Sequence, residues 1–128
     1  EPPVTIIRVA PKMGAILQPP GSSSTPAWVV SMDHQQNLSF RPLVQTQIPG
    51  NAVLMLWTQF SPTERPRLLA TLDPNKAFLL PAAQAGLIRE GQIFEMTQET
   101  VRQETPAEPQ GPVLYSGKIV SFGESDSQ

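Results

Sequence analysis

The side chains most apt for chemistry in this sequence are few and thinly spread. His34 is the only histidine, and it stands beside Asp33. An imidazole next to a carboxylate suggests an acid–base pair, but catalysis needs such a base aimed at a nucleophile. Neighbouring residues in the polar run Asp33-His34-Gln35-Gln36-Asn37 rarely converge on a third group, so the sequence assigns His34 to a solvated hairpin tip. One histidine and no cysteine fall short of the usual tetrahedral set for zinc. Five acids, Glu90, Glu95, Glu99, Glu104 and Glu108, follow one another with only Arg102 to relieve them. Calcium loops place carboxylates closer together, with Gly and Asp or Asn between them. Here Glu95 and Glu99 are expected on the solvated face of a strand. Trp28 and Trp57 could form a sugar-stacking platform, but both stand in apolar runs, where a tryptophan is core with its ring N–H satisfied. Gly14, Gly21, Gly50, Gly86 and Gly91 make no phosphate-binding spacing. The residues therefore predict no catalytic, cofactor-binding or metal-binding side chain, no cofactor and no enzyme.

The elements that must position these residues read as short strands. Thr5–Ala10 is β-branched and apolar, Pro11 interrupts it, and Met13–Leu17 resumes. Pro19-Pro20-Gly21-Ser22-Ser23-Ser24 is a loop. Trp28–Met32 and Leu38–Leu43 alternate in character around the polar tip and read as one hairpin. Ala52–Phe60 is apolar on both faces until Thr58, as in a central strand covered on each side. Arg67–Leu72 ends in the turn Asp73-Pro74-Asn75, and Phe78–Leu80 is a further short strand. Pro81–Ile88 is the one place suited to a turn or two of helix. In Ile93–Thr100, Phe94 and Met96 are expected to face in, with Glu95, Thr97 and Glu99 facing out. Residues 103–112 are an exposed, mobile loop, Val113–Val120 is a last strand, and 121–128 is a polar tail.

This pattern predicts an all-β fold, a two-layer antiparallel β-sandwich of eight or nine strands with at most one short helix. The expected core is Trp28, Val30, Met32, Phe40, Leu54, Leu56, Trp57, Leu68, Phe94 and Met96. Composition agrees. Fifteen prolines in 128 residues break helices and mark strand ends, while 39% apolar residues is too many for a disordered chain. The length suits one domain, residues 1–128, with 4–120 as its folded core. Nine basic and eleven acidic residues give a net charge of −2, without the basic face that nucleic acid requires. The longest apolar run, Ala52–Trp57, is six residues, against about 20 needed to cross a bilayer. Glu1-Pro2-Pro3 lacks the charge and apolar stretch of a signal peptide, so any anchor or export signal is expected outside this sequence.

Five ordered blocks carry a resemblance. They are Trp28-Val29-Val30-Ser31-Met32-Asp33, Leu38-Ser39-Phe40-Arg41-Pro42-Leu43, Leu54-Met55-Leu56-Trp57, Arg67-Leu68-Leu69-Ala70-Thr71-Leu72-Asp73-Pro74 and Gly111-Pro112-Val113-Leu114-Tyr115-Ser116-Gly117. In order and spacing, across about 90 residues, the chain resembles the C-terminal region of the anti-sigma-K factor family, the RskA type. Two departures stand out. The family's Glu-Pro-x-Gly-Gly-Ser stretch is replaced after Glu99 by Thr100-Val101-Arg102-Gln103, and Met55 stands where Gln is frequent. The resemblance implies a larger membrane-anchored protein. An N-terminal cytoplasmic domain would hold a sigma factor, one membrane helix would follow, and this domain would lie outside the cytoplasm. It would act there by partner binding and regulated proteolysis, with a site-1-type protease or a sensor protein as partner. The competing expectation is a periplasmic or secreted module that binds a carbohydrate or peptide.

Overall fold

The computed structural model describes residues 12–21 and 25–122. Its strands are β1 (Lys12–Leu17), β2 (Trp28–Met32), β3 (Leu38–Pro42), β4 (Ala52–Gln59), β5 (Arg67–Leu72), β6 (Phe78–Leu80), β7 (Ile93–Thr100), β8 (Val113–Lys118) and β9 (Val120–Phe122). One helix, α1 (Ala82–Ala85), lies between β6 and β7. The strands form two antiparallel sheets, ordered β6-β3-β2-β1-β9 and β5-β4-β7-β8, as the all-β expectation required. The expected strand Thr5–Ala10 lies outside the described residues.

Alternation decides which face each strand of the first sheet buries. In the β2–β3 hairpin Val30 opposes Phe40 and Met32 opposes Leu38. Trp28, Val30, Leu38 and Phe40 are buried, while Ser31, Ser39 and Arg41 are exposed. At the tip, one oxygen of Asp33 accepts the amide N–H groups of Gln35 and Asn37 at 2.8 and 2.9 Å. The other accepts the Asn37 side-chain amide at 3.1 Å. Asn37 in turn accepts the Ala82 N–H at 2.9 Å, so the tip is tied to the start of α1. From α1, Gln84 donates to the Leu69 carbonyl and Arg67 donates to the Ala85 carbonyl, which fastens the helix to β5.

The core forms where the two sheets meet. Phe40 stacks on Phe78 with centroids 4.6 Å apart, and crosses to Phe94 of the second sheet at 6.2 Å in an edge contact. Leu54, Leu56, Phe94 and Met96 fill the second sheet's inner face. Each such side chain contributes about 1.5–3 kcal/mol through burial. Trp28 is fully buried, yet its Nε1–H has no acceptor among the described residues, against the expectation of a satisfied ring. An orphaned N–H of this kind costs about 1–3 kcal/mol.

Four expectations need correction. Leu68 is only half-buried, and Leu69 takes its place in the core. The cause is a bulge: Leu56 pairs with Ala70 and Trp57 with Leu68, leaving Leu69 unpaired and turned inward. Met32 packs against the core but stays half-buried. The expected last strand is two strands. β8 pairs with β7 in one sheet, the chain breaks at buried Ile119, and β9 pairs with β1 in the other, taking in Ser121 and Phe122 from the expected tail. The fourth correction concerns the outer face of β7.

Candidate functional site

Thr97 and Glu99 were expected to face solvent, and both are buried, at 0% and 1% exposure. They lie on the face of β7 turned away from the inter-sheet core. There Met55 pairs with Thr97, Trp57 with Glu95, and Val53 with Glu99. Met55 and Trp57 are also buried, so this outer face is covered rather than wet. A buried carboxylate must find donors, because an unsatisfied charged group costs more than a neutral one.

Glu99 finds them in the chain that follows. Its Oε2 accepts the Thr97 hydroxyl at 2.6 Å and the amide N–H groups of Gln110 and Gly111, each at 3.2 Å. The Thr97 hydroxyl in turn accepts the Trp57 Nε1–H at 2.8 Å. A relay thus runs from the indole through the hydroxyl to the carboxylate, and ends on the backbone at the far end of the 103–112 loop. Gly111 passes so close to β7 that a Cβ there would strike the Gln98 carbonyl. The Gln98 N–H donates to the Pro112 carbonyl at 3.0 Å, completing the attachment. The loop is therefore exposed over most of its length, as expected, but anchored at its far end.

A second buried group holds the crossover between the sheets. Gln92 is 1% exposed and donates its side-chain amide to the Thr58 hydroxyl at 2.7 Å, which donates to the Ile93 carbonyl. Gln92 also accepts the Arg89 N–H, and its main-chain carbonyl accepts the N–H of Ile119 at 2.9 Å. The Gly91 N–H donates to the Ile119 carbonyl at 2.7 Å. A third contact joins the hydroxyls of Tyr115 and Thr46 at 2.6 Å, with the Asn75 side-chain amide bracketing the Thr46 backbone.

The residues first singled out for chemistry are scattered. Asp33 and His34 are exposed and line a depression of about 520 Å³ with Lys12, Met13, Met32 and Gln36. The Asp33 carboxylate is occupied by its own turn, chiefly by Asn37, whose backbone amide holds the carboxyl's pKa below the usual carboxylate range. Glu90, Glu104 and Glu108 are exposed, Glu95 is half-buried, and only Glu99 is enclosed. No group of three or more His, Cys, Asp or Glu side chains that could hold a metal occurs among the described residues. Trp28 and Trp57, at 0% and 1% exposure, are closed to a sugar. The exposed rings are Phe60, which carries the Arg89 guanidinium 4.7 Å from its centroid, and Phe122, whose ring lies over Gly14.

Two outcomes follow at the tip. Replacing His34 by alanine should shift stability by no more than about 0.5 kcal/mol in urea unfolding, as at other surface positions. For Asp33 the folded pKa lies below the unfolded one. Its contribution is therefore present above about pH 4 and is lost as pH falls through the folded value. The urea midpoints of the wild type and Asp33→Ala should differ by a constant amount between pH 7 and pH 5, and converge at lower pH.

Comparison with known proteins bears on the whole constellation. No curated protein and no solved structure matches the chain. One family model, described as anti-sigma-K factor rskA, C-terminal, matches residues 4–113, which takes in β1 through β7 and the anchored loop up to the first residue of β8. The match covers most of the sequence, and the chain belongs to the anti-sigma-K factor family as its C-terminal domain.

Proposed function

We propose that this domain is the extracytoplasmic regulatory part of a transmembrane anti-sigma factor, and that it controls release of a sigma factor by governing proteolysis near the membrane. Family membership over residues 4–113 is the observation that carries this reading. The family is regulatory rather than enzymatic, and the buried polar side chains described above fasten loops to sheets. None of the described helices is long and apolar enough to cross a membrane.

In this reading the signal crosses the membrane as a covalent event. Proteases act on extended backbone that local opening exposes, and a strand held in a sheet is protected. The segment from Glu1 to Val4, next to the anchor, is the cutting site that would separate the whole domain at once. The folded domain shields it. Deleting residues from Thr5 onward in the full-length protein should make sigma release constitutive in a reporter strain. Release that stays silent after the deletion would make the domain an activator or a protease receptor, and would end the shielding model.

A further inference from the structure

Among the described residues, the edge of β1 turned away from β2 is lined by residues 116–122. Lys12, Met13 and Gly14 pair with Phe122, Ser121 and Val120. Beyond them, Gln18 and Ser116 exchange two backbone hydrogen bonds at 3.0 and 2.9 Å. Gly117 lies against the Ile16 carbonyl so closely that a Cβ would collide with it. Residues 113–122 also place Tyr115 and Ile119 in the core. They form a strap that holds both sheets and clamps the first described strand.

The strap's only covalent link to β7 is the 101–112 segment. No amide from Arg102 to Glu108 donates a hydrogen bond among the described residues, and all of them but Pro106 are exposed. The segment is pinned only at its ends, by the Val101 N–H on the Asn51 carbonyl and by Glu99 on Gln110 and Gly111. Backbone that is exposed, unpaired and flanked by rigid strands is what an endoprotease can take up without unfolding the domain.

We infer that Arg102–Glu108 is a processing site for an endoprotease, and that cleavage there unclamps β1 by turning the strap into a separable peptide. Hydrolysis of one peptide bond consumes one water and leaves a carboxylate and an amine, and no strand is cut. What changes is the standing of the strap. While linked, it sees its groove at an effective concentration on the order of millimolar. Once cut, it is held only at its actual concentration, about a thousandfold lower for micromolar protein. Loss of the strap strips β1 of β9 and of the Ser116 contact, and β1 lies eight residues on from the end of the segment that the domain is proposed to shield. The inference rests on that shielding reading for its biological consequence. Its test reads β1 in the purified chain, whereas the reading itself is tested by sigma release, so either can fail alone.

A recognition sequence for a highly specific endoprotease is inserted between Pro106 and Ala107 of the 128-residue chain. Amide hydrogen exchange is then compared before and after cutting. At micromolar concentration, exchange over Lys12–Gln18 should rise on cutting at least tenfold more than exchange over Leu54–Thr58 of β4. Millimolar synthetic peptide spanning residues 110–122 should restore the slow exchange. Resistance of the inserted site in the folded chain would overturn the processing site. Exchange over β1 within twofold of the uncut chain would overturn the clamp, as would an equal rise throughout β4, because the domain would then simply be unfolding.

Discussion

Replacing Glu99 by alanine is expected to destabilise the domain by about 3–5 kcal/mol, although Glu99 occupies what the strand's alternation marks as an outward position. The truncation leaves the Thr97 hydroxyl and the amides of Gln110 and Gly111 without their acceptor. Each unsatisfied buried donor costs about 1–3 kcal/mol, partly relieved if water enters. The replacement Glu99→Gln separates the hydrogen-bonding role from mere bulk. Three of the donors converge on Oε2, and a glutamine carbonyl oxygen can stand there, so the loss should fall to about 1–2 kcal/mol. Glu104→Ala, at an exposed position in the same acidic run, should stay within about 0.5 kcal/mol. Urea unfolding monitored by tryptophan fluorescence measures all three. Equal small effects at Glu99 and Glu104 would mean that the carboxylate fastens nothing.

The second large effect is expected at Ile119. It is fully buried where the chain passes from β8 of one sheet to β9 of the other, with both its backbone groups bonded to the Gly91–Gln92 turn. Ile119→Ala should cost about 2–5 kcal/mol, near the upper end if the fixed backbone prevents the cavity from collapsing. Val120→Ala, one residue on and 49% exposed, should cost far less. Thermal unfolding of the pair gives the comparison, and a near-equal loss at the two positions would contradict the crossover description.

How much of this was legible in the sequence depended on whether the signal was local. The β2–β3 hairpin was, because alternation at Trp28–Met32 and Leu38–Pro42 and the polar residues between them are properties of adjacent residues. The burial of Glu99 was not, because its cover comes from Gln110 and Gly111, across a loop rich in proline. One clue was present. Val53–Trp57 is apolar on both faces, and a covered outer face on β4 requires cover over its neighbour β7 as well. Strict alternation in Phe94–Glu99 masked that requirement, since a strand with polar residues at every second position reads as half-wet. Leu69 was missed for a different reason. A bulge shifts register by one residue without any glycine or proline to announce it. The break at Ile119 had only Gly117 nearby as a hint. That glycine permits close approach to Ile16, but it does not show that Val120–Phe122 join the other sheet.

The candidate residues of the sequence fared according to their chemistry. Asp33 and His34 lie at the expected turn and both tryptophans are buried, Trp28 in the inter-sheet core without a partner for its ring N–H and Trp57 on the covered outer face. The polar side chains that matter most, Glu99, Thr97, Gln92 and Thr58, carry no motif and gain their role only from burial. Together they tie β7 to Trp57 and Thr58 of β4 and to the backbone of Gln110 and Gly111.

Amide exchange resolved residue by residue at Gln110 and Gly111 tests that description most directly. Both amides belong to the end of an otherwise open segment, yet both donate to the buried Glu99 carboxylate. They should exchange as slowly as the amides of β7 in the wild type, and at least a hundredfold faster in Glu99→Ala, the equivalent of about 2.7 kcal/mol. Exchange in the wild type as fast as at Glu104 and Thr105 would contradict the claim that the carboxylate anchors the strap.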